Sequence, residues 1–293
     1  MAAPIPTVVK PGTSPSVAAQ LVKRPIIRDE PLPPPALLLL GDINSGNTGV
    51  DSLIEAVKFH KAPIDKLHWK RCTPARQSWD VIKAQARLTN AHSVGELQEM
   101  KAGLERHKYP AFMNLIEACA NFKCDRTKKE YGDVLTWEKD RLLCLDSLSG
   151  LSEIASSHVT GHRITMTQPE FGVVQNHIWI FLNQLVSGNC YFMATAHLEY
   201  ETDEVKGVTK QMASTVGKKL APKLPRMFSD VAVAKKDPAG KYIWSTVEPN
   251  VVTKTRYLKS GQHAADFKLF MTGYEERKAE AEKEVLGQEE SII

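Results

Sequence analysis

Residues 37–52 read LLLLGDINSGNTGVDS, and no other stretch restricts the fold so strongly. Four consecutive leucines form a short apolar run suited to a buried strand. A tight, glycine-bearing turn follows, and a helical pattern starts at Val50. Gly41, Gly46 and Thr48 fall where G-x-x-x-x-G-K-[ST], the spacing of a phosphate-cradling loop, has its two glycines and its hydroxyl. The lysine position holds Asn47. The plainer alternative is a strand–turn–helix whose glycine spacing has no chemical meaning.

In a loop of this kind, backbone N–H groups and the following helix N-terminus make an anion nest. Gly41, Asn44, Ser45, Gly46, Asn47 and Thr48 are therefore the candidate nucleotide-binding residues, with Thr48 also a candidate Mg²⁺ ligand. Asn47 cannot supply the cation that grips the outer phosphates. Removing one partner of a buried, hydrogen-bonded charge pair costs about 2–5 kcal/mol. That is roughly 30-fold to several thousand-fold in affinity. Asp42 and Asp51 add negative charge nearby.

The chain has 293 residues, 42% of them hydrophobic, which suffices for one sizeable α/β domain with or without appendages. A net charge of +4 is too small on its own to argue for nucleic acid. Five cysteines without a CxxC pair read as reduced thiols. No apolar run approaches the length of a membrane span and no signal-peptide pattern is evident, so a soluble protein is expected.

Residues 1–35 hold nine of the 17 prolines and no apolar periodicity, and read as an extended arm. Ile64–Cys72 is a candidate second strand and Ser78–Leu88 a helix. Ser93 and Glu96 have capping-box spacing for a further helix running to about Arg106. After Pro110, Phe112, Leu115, Ile116 and Cys119 recur at helical spacing. Leu142–Leu145 reads as a buried strand with Asp146 at its carboxyl end, where ligands of an open parallel sheet bind. Gln168–Val186 is a long helix carrying Phe171, Val174, Ile178, Phe181, Leu182 and Leu185 on one face. Cys190–Ala196 is another strand, ended by His197. Glu199–Glu204 reads as acidic surface and Lys206–Pro225 as a mobile basic loop. Val231–Ala234 and Tyr242–Ser245 form a hairpin pattern across Asp237–Gly240. Tyr274–Glu290 is a charge-rich helix. His158 and His162 have i,i+4 spacing, but Gly161 lies between them and no acidic third ligand is near, so the pair is not read as a metal site.

Together, LLLLGDINSGNT at 37–48, RLLCLDSLSGL at 141–151, CYFMATAH at 190–197 and the segments at 217–233 and 241–258 resemble phage-encoded RecA-like, AAA-type P-loop nucleotide-binding proteins that act in single-strand recombination or annealing. The resemblance covers residues 36–260. It implies a RecA-like P-loop core with a twisted, mostly parallel sheet flanked by helices, a proline-rich arm at 1–35 and a charged helical tail at 261–293. It implies ATP and Mg²⁺, weakly held here. Asp146 would join Thr48 in holding Mg²⁺, and His197 would be the polar sensor of the γ-phosphate. Lys254 and Arg256 resemble a K-x-R pair reaching a neighbouring subunit's nucleotide, and alternate residues of a strand at 251–257 would project them together. It further implies a homo-oligomeric ring or filament, single-stranded DNA or phage proteins as partners, no membrane, and a location in the infected cell's cytoplasm or the virion.

Two departures weaken catalysis. Asn47 replaces the lysine, and no catalytic glutamate is evident near Lys70–Pro74. Three readings stay open: an oligomeric scaffold with a weak or silent nucleotide site, a single-stranded DNA-binding protein, and an ATPase whose cation comes from a neighbour.

Overall fold

A computed structural model describes residues 32–41, 68, 70–72, 78–99, 109–161, 163–203, 208–217 and 219–290. The leucine run is strand β1, Ala36–Gly41, buried along its whole length. It pairs in parallel with β3 (Tyr191–Asp203) on one side and β5 (Asp230–Lys236) on the other. Strand β2, Leu142–Leu145, adds in parallel to the far side of β3. β6 (Tyr242–Ser245) and β7 (Gln262–Ala264) extend the β5 side antiparallel, giving the order β2-β3-β1-β5-β6-β7. The result is a mixed α/β fold with a mostly parallel sheet flanked by helices.

Side chains alternate across a strand, so the four leucines divide between two cores. Leu38 and Leu40 pack with Phe192, Ala194 and Val231, under helices α3 (Ala111–Ala120), α4 (Leu148–Thr160) and α5 (Gln168–Val186). Leu37 and Leu39 pack with Tyr191, Met193 and Ala232 against Phe267, Phe270 and Tyr274 of the C-terminal helix. Earlier in the chain, α1 (Trp79–Ala91) is largely exposed and α2 (Val94–Glu99) buries Leu97; α2 opens on the expected capping box, with Ser93 N–H donating to Glu96 Oε2 at 2.7 Å. The bounds of α5 coincide with the apolar periodicity, and Val174, Ile178, Phe181, Leu182 and Leu185 are its buried stripe.

Four expectations need correction. β3 does not stop at His197. It runs to Asp203 and pairs antiparallel with β4, Val208–Ala213, which replaces part of the expected basic loop. The cause is hydrogen bonding: β3 outruns β1 and β2, and its backbone groups beyond His197 take β4 as partner. Opposite charges on Glu201 and Lys210 meet across that ladder. The rest of the expected loop holds a 3₁₀ turn at Ala221–Lys223 and α6, Leu224–Met227. Residues 251–257 form no strand: Lys254 bridges Val231 alone, while Val251 bridges Gln211. The final helix, α7, spans Phe267–Glu290, and its first turns are core rather than a charged tail. Residues 68 and 70–72 carry no strand; the rest of the expected second strand lies outside the described residues. So do most of the proline-rich arm and the second half of the 93–106 helix.

Asp230 organises the amino-terminal edge of the sheet. It is fully buried, and its Oδ1 accepts from the N–H groups of Arg256, Tyr257 and Leu258 at 2.8, 3.0 and 2.9 Å. The turn so held presents Tyr257 to α7, with ring centroids 5.8 Å from Phe270 and 5.1 Å from Tyr274. The two elements approach closely at Gly273, where an added Cβ would stand 2.8 Å from the Tyr257 carbonyl carbon. In an exposed helix, Gly→Ala stabilises by about 1 kcal/mol. Here the overlap is with backbone, and Gly273→Ala is expected instead to destabilise by about 1–3 kcal/mol. Urea unfolding measures the change, and a gain in stability would refute this packing.

Candidate functional site

β1 and β2 end beside the middle of β3, which continues beyond them to Asp203. β3 lies between β1 and β2, with Gly41 of β1 opposite His197 and Leu145 of β2 opposite Ala194. One step beyond that last pair stand Asp146 and Thr195. Thr195 and His197 alternate with Ala194 and Ala196, so both side chains leave the sheet on the same face as Met193. The carboxyl edge thus gathers Gly41, Asp146, Thr195 and His197. In open α/β sheets, ligands bind outside the carboxyl ends of the strands.

Asp146 is exposed, and its Oδ1 accepts from Thr195 Oγ1 at 2.8 Å. Partial burial raises its proton affinity above the ordinary aspartate value; the Thr195 hydrogen bond and the His197 imidazole act in the opposite direction. The Asp146–Ser147 peptide bond is cis. Ser147 caps α4, its Oγ accepting from Gly150 N–H at 3.3 Å. Two residues on, Ser149 Oγ accepts from the His197 N–H at 3.4 Å and donates to the Ser214 carbonyl at 3.3 Å. Strand, helix start and the end of β4 are tied together there. The His197 ring is half-buried, and its Nδ1 has no hydrogen-bond partner among the described residues.

Asn44, Ser45, Gly46, Asn47 and Thr48 lie outside the described residues, as do Asp42 and Asp51. Of the expected nucleotide site, the structure brings together Gly41, Asp146 and His197. Thr195 and Ser149 were missed by the sequence reading. The signal for Thr195 was its i,i+2 spacing from His197, which puts both on one face of a strand. The donor set fits Mg²⁺: this ion is held through one or two carboxylates together with substrate phosphates, not by an all-protein cage. No group of three or more His, Cys, Asp or Glu side chains is arranged to hold a metal among the described residues. His162 lies outside them.

Lys254 and Arg256 stand elsewhere. Lys254 Nζ donates to the carbonyls of Phe228 and Pro225, at 2.6 and 3.4 Å. Both carbonyls precede the first residue of β5, so the ammonium sits at the amino edge of the sheet, opposite Asp146. Burial, then the neighbouring Arg256, lower its proton affinity, with Asp230 opposing. Arg256 is exposed. The expected projection of two cations from one strand is therefore corrected: residues 251–257 form no strand, and Lys254 is engaged by carbonyls of its own chain.

A second polar feature lies before β2. The Arg141 guanidinium lies 5.2 Å from the Trp137 ring and 6.0 Å from the Tyr131 ring, and Lys129 Nζ lies 5.2 Å from Tyr131. Arg141, Lys128 and Lys129 are exposed.

Asp146 gives a pH test. A carboxyl whose proton affinity is higher folded than unfolded makes the folded state bind more protons between the two pKa values. Stability then falls as pH rises from the ordinary aspartate value through the raised one. Asp146→Asn is expected to remove that part of the slope. It is also expected to cost no more than about 1.5–3 kcal/mol at neutral pH, the range for one hydrogen bond to a charged group. Urea unfolding across the acidic range checks both, and a larger loss would make Asp146 a structural residue.

No protein-family model matches the chain, and no curated protein sequence matches it.

Proposed function

We propose that this chain is a RecA-like P-loop protein with a degenerate nucleotide site, in which weak Mg-ATP binding serves an oligomeric scaffold and hydrolysis is slow or absent. The observation that carries this reading is the meeting of Gly41, Asp146 and His197 where the parallel pairing of β1, β3 and β2 ends. A residue that senses the state of a ligand held between the loop after β1 and the carboxylate after β2 must lie between those strands, as His197 does. Asp146, and Thr48 from the loop, would hold Mg²⁺, which would offset phosphate charge. The loop's backbone would cradle the phosphates. Asn47 leaves the outer phosphates without their cation, and Lys254 of the same chain stands at the opposite edge.

The expected Mg-ATP dissociation constant is therefore high-micromolar to millimolar, since about 2–5 kcal/mol of charge pairing is missing. Calorimetry measures it, and sub-micromolar binding would defeat the proposal. Turnover near the ~10 per second of an ordinary enzyme would defeat its second half.

The cluster of Arg141, Lys129 and the half-buried Tyr131, backed by the buried Trp137, favours a second reading, binding of single-stranded DNA. Under it, affinity for an oligonucleotide falls steeply with salt, with a slope of about −0.7 per phosphate contacted. Removing Arg141 and Lys129 together flattens that slope. Absent or salt-independent binding rejects this reading and leaves the first standing.

A further inference from the structure

We infer that Thr195 is the positioning residue of this edge: its hydroxyl orients the Asp146 carboxylate toward a divalent cation. The inference rests on the nucleotide-site reading. Thr195 is 3% exposed, inside β3 opposite Leu39 of β1 and one step beyond the last pair with β2, and it is β-branched, so its rotamer is confined. Its hydroxyl has one proton, and that proton goes to Asp146 Oδ1 at 2.8 Å. Asp146, by contrast, is exposed at the end of β2, which pairs with β3 over four residues. A carboxylate in that position turns freely unless something fixes one oxygen. Thr195 fixes Oδ1. No hydrogen bond reaches Oδ2 among the described residues, so Oδ2 is the oxygen left to a cation. The same hydrogen bond opposes the effect of burial on the carboxyl and favours its ionised, cation-binding form.

An oriented ligand and a merely packed one respond differently to removal of the donor. Thr195→Val keeps the shape and removes the hydroxyl; Thr195→Ser keeps the hydroxyl. The probe is Mn²⁺ in the presence of saturating ATP, followed by electron paramagnetic resonance on the full chain, with thermal melting in parallel. Loss of a partner that orients a metal ligand typically weakens metal binding about 10- to 100-fold. The expected result is that loss in Thr195→Val, recovery in Thr195→Ser, and a melting temperature in Thr195→Val close to that of the parent. If the Val variant does not fold, Thr195→Cys, with a weak donor in its place, is read in the same way. Unchanged Mn²⁺ affinity in a folded Val or Cys variant overturns the assignment of Thr195 alone. Failure of the parent protein to bind Mn²⁺ with ATP overturns the nucleotide-site reading and this inference with it.

Discussion

Burial of β1 on both faces and along both edges is the constraint from which the structure follows. Every side chain from Ala36 to Leu40 is 2% exposed or less, and both backbone edges are used, one by β3 and the other by β5. A strand so enclosed has one workable register. A slip of one residue would exchange Leu38 and Leu40 for Leu37 and Leu39 between two differently shaped cores. One core needs α4 and α5, the other needs α7, so β1 dictates helical cover on both faces. It also decides where polar chemistry can occur. Neither face has room for it, and the two ends of the strands are what remain.

The two ends have been used differently, and two aspartates show how. Asp230 begins β5, is fully buried, and concentrates three backbone N–H groups on one oxygen. Its carboxylate substitutes for strand pairing that residues 256–258 do not make, and it fixes Tyr257 beneath α7. Asp146 follows β2, is exposed, and has one side-chain donor. Removing Asp230 would strand several buried donors, whereas removing Asp146 strands one hydroxyl. The amino edge is accordingly the structural edge, and Lys254, hydrogen-bonded to the carbonyls of Phe228 and Pro225, belongs to it.

Local signals were legible where a segment's neighbours matter little. The leucine run, Leu142–Leu145 and the α5 stripe announce themselves because continuous burial or a 3.6-residue period is written directly in composition. The β3–β4 ribbon was not legible, since Glu199 and Glu201 alternate with Tyr200 and Thr202 once the strand leaves the core, and strands of so little apolar content read as loops. Residues 251–257 misled in the other direction. Their β-branched composition suits a strand, but the Asp230 carboxylate, more than 20 residues away in sequence, withdraws the donors a strand would have used. Of the candidate site, Asp146 and His197 could be found as polar residues ending apolar runs. Thr195 shares a strand face with His197 by its i,i+2 spacing, but a threonine inside a strand is ordinary until the neighbouring strand supplies a carboxylate.

The contact between Thr195 and Asp146 has a structural consequence apart from any ligand. Among the described residues β2 has β3 as its only strand neighbour, and their backbone pairing ends at Leu145 and Ala194. The hydroxyl–carboxylate bond continues that pairing one step further through side chains, at the point where the chain turns into α4. Ser149 closes the same corner from the helix, through the His197 N–H and the Ser214 carbonyl. The corner is thus held from three elements, and loss of the Thr195 hydroxyl would leave Ser149 still joining the start of α4 to β3 and to the end of β4.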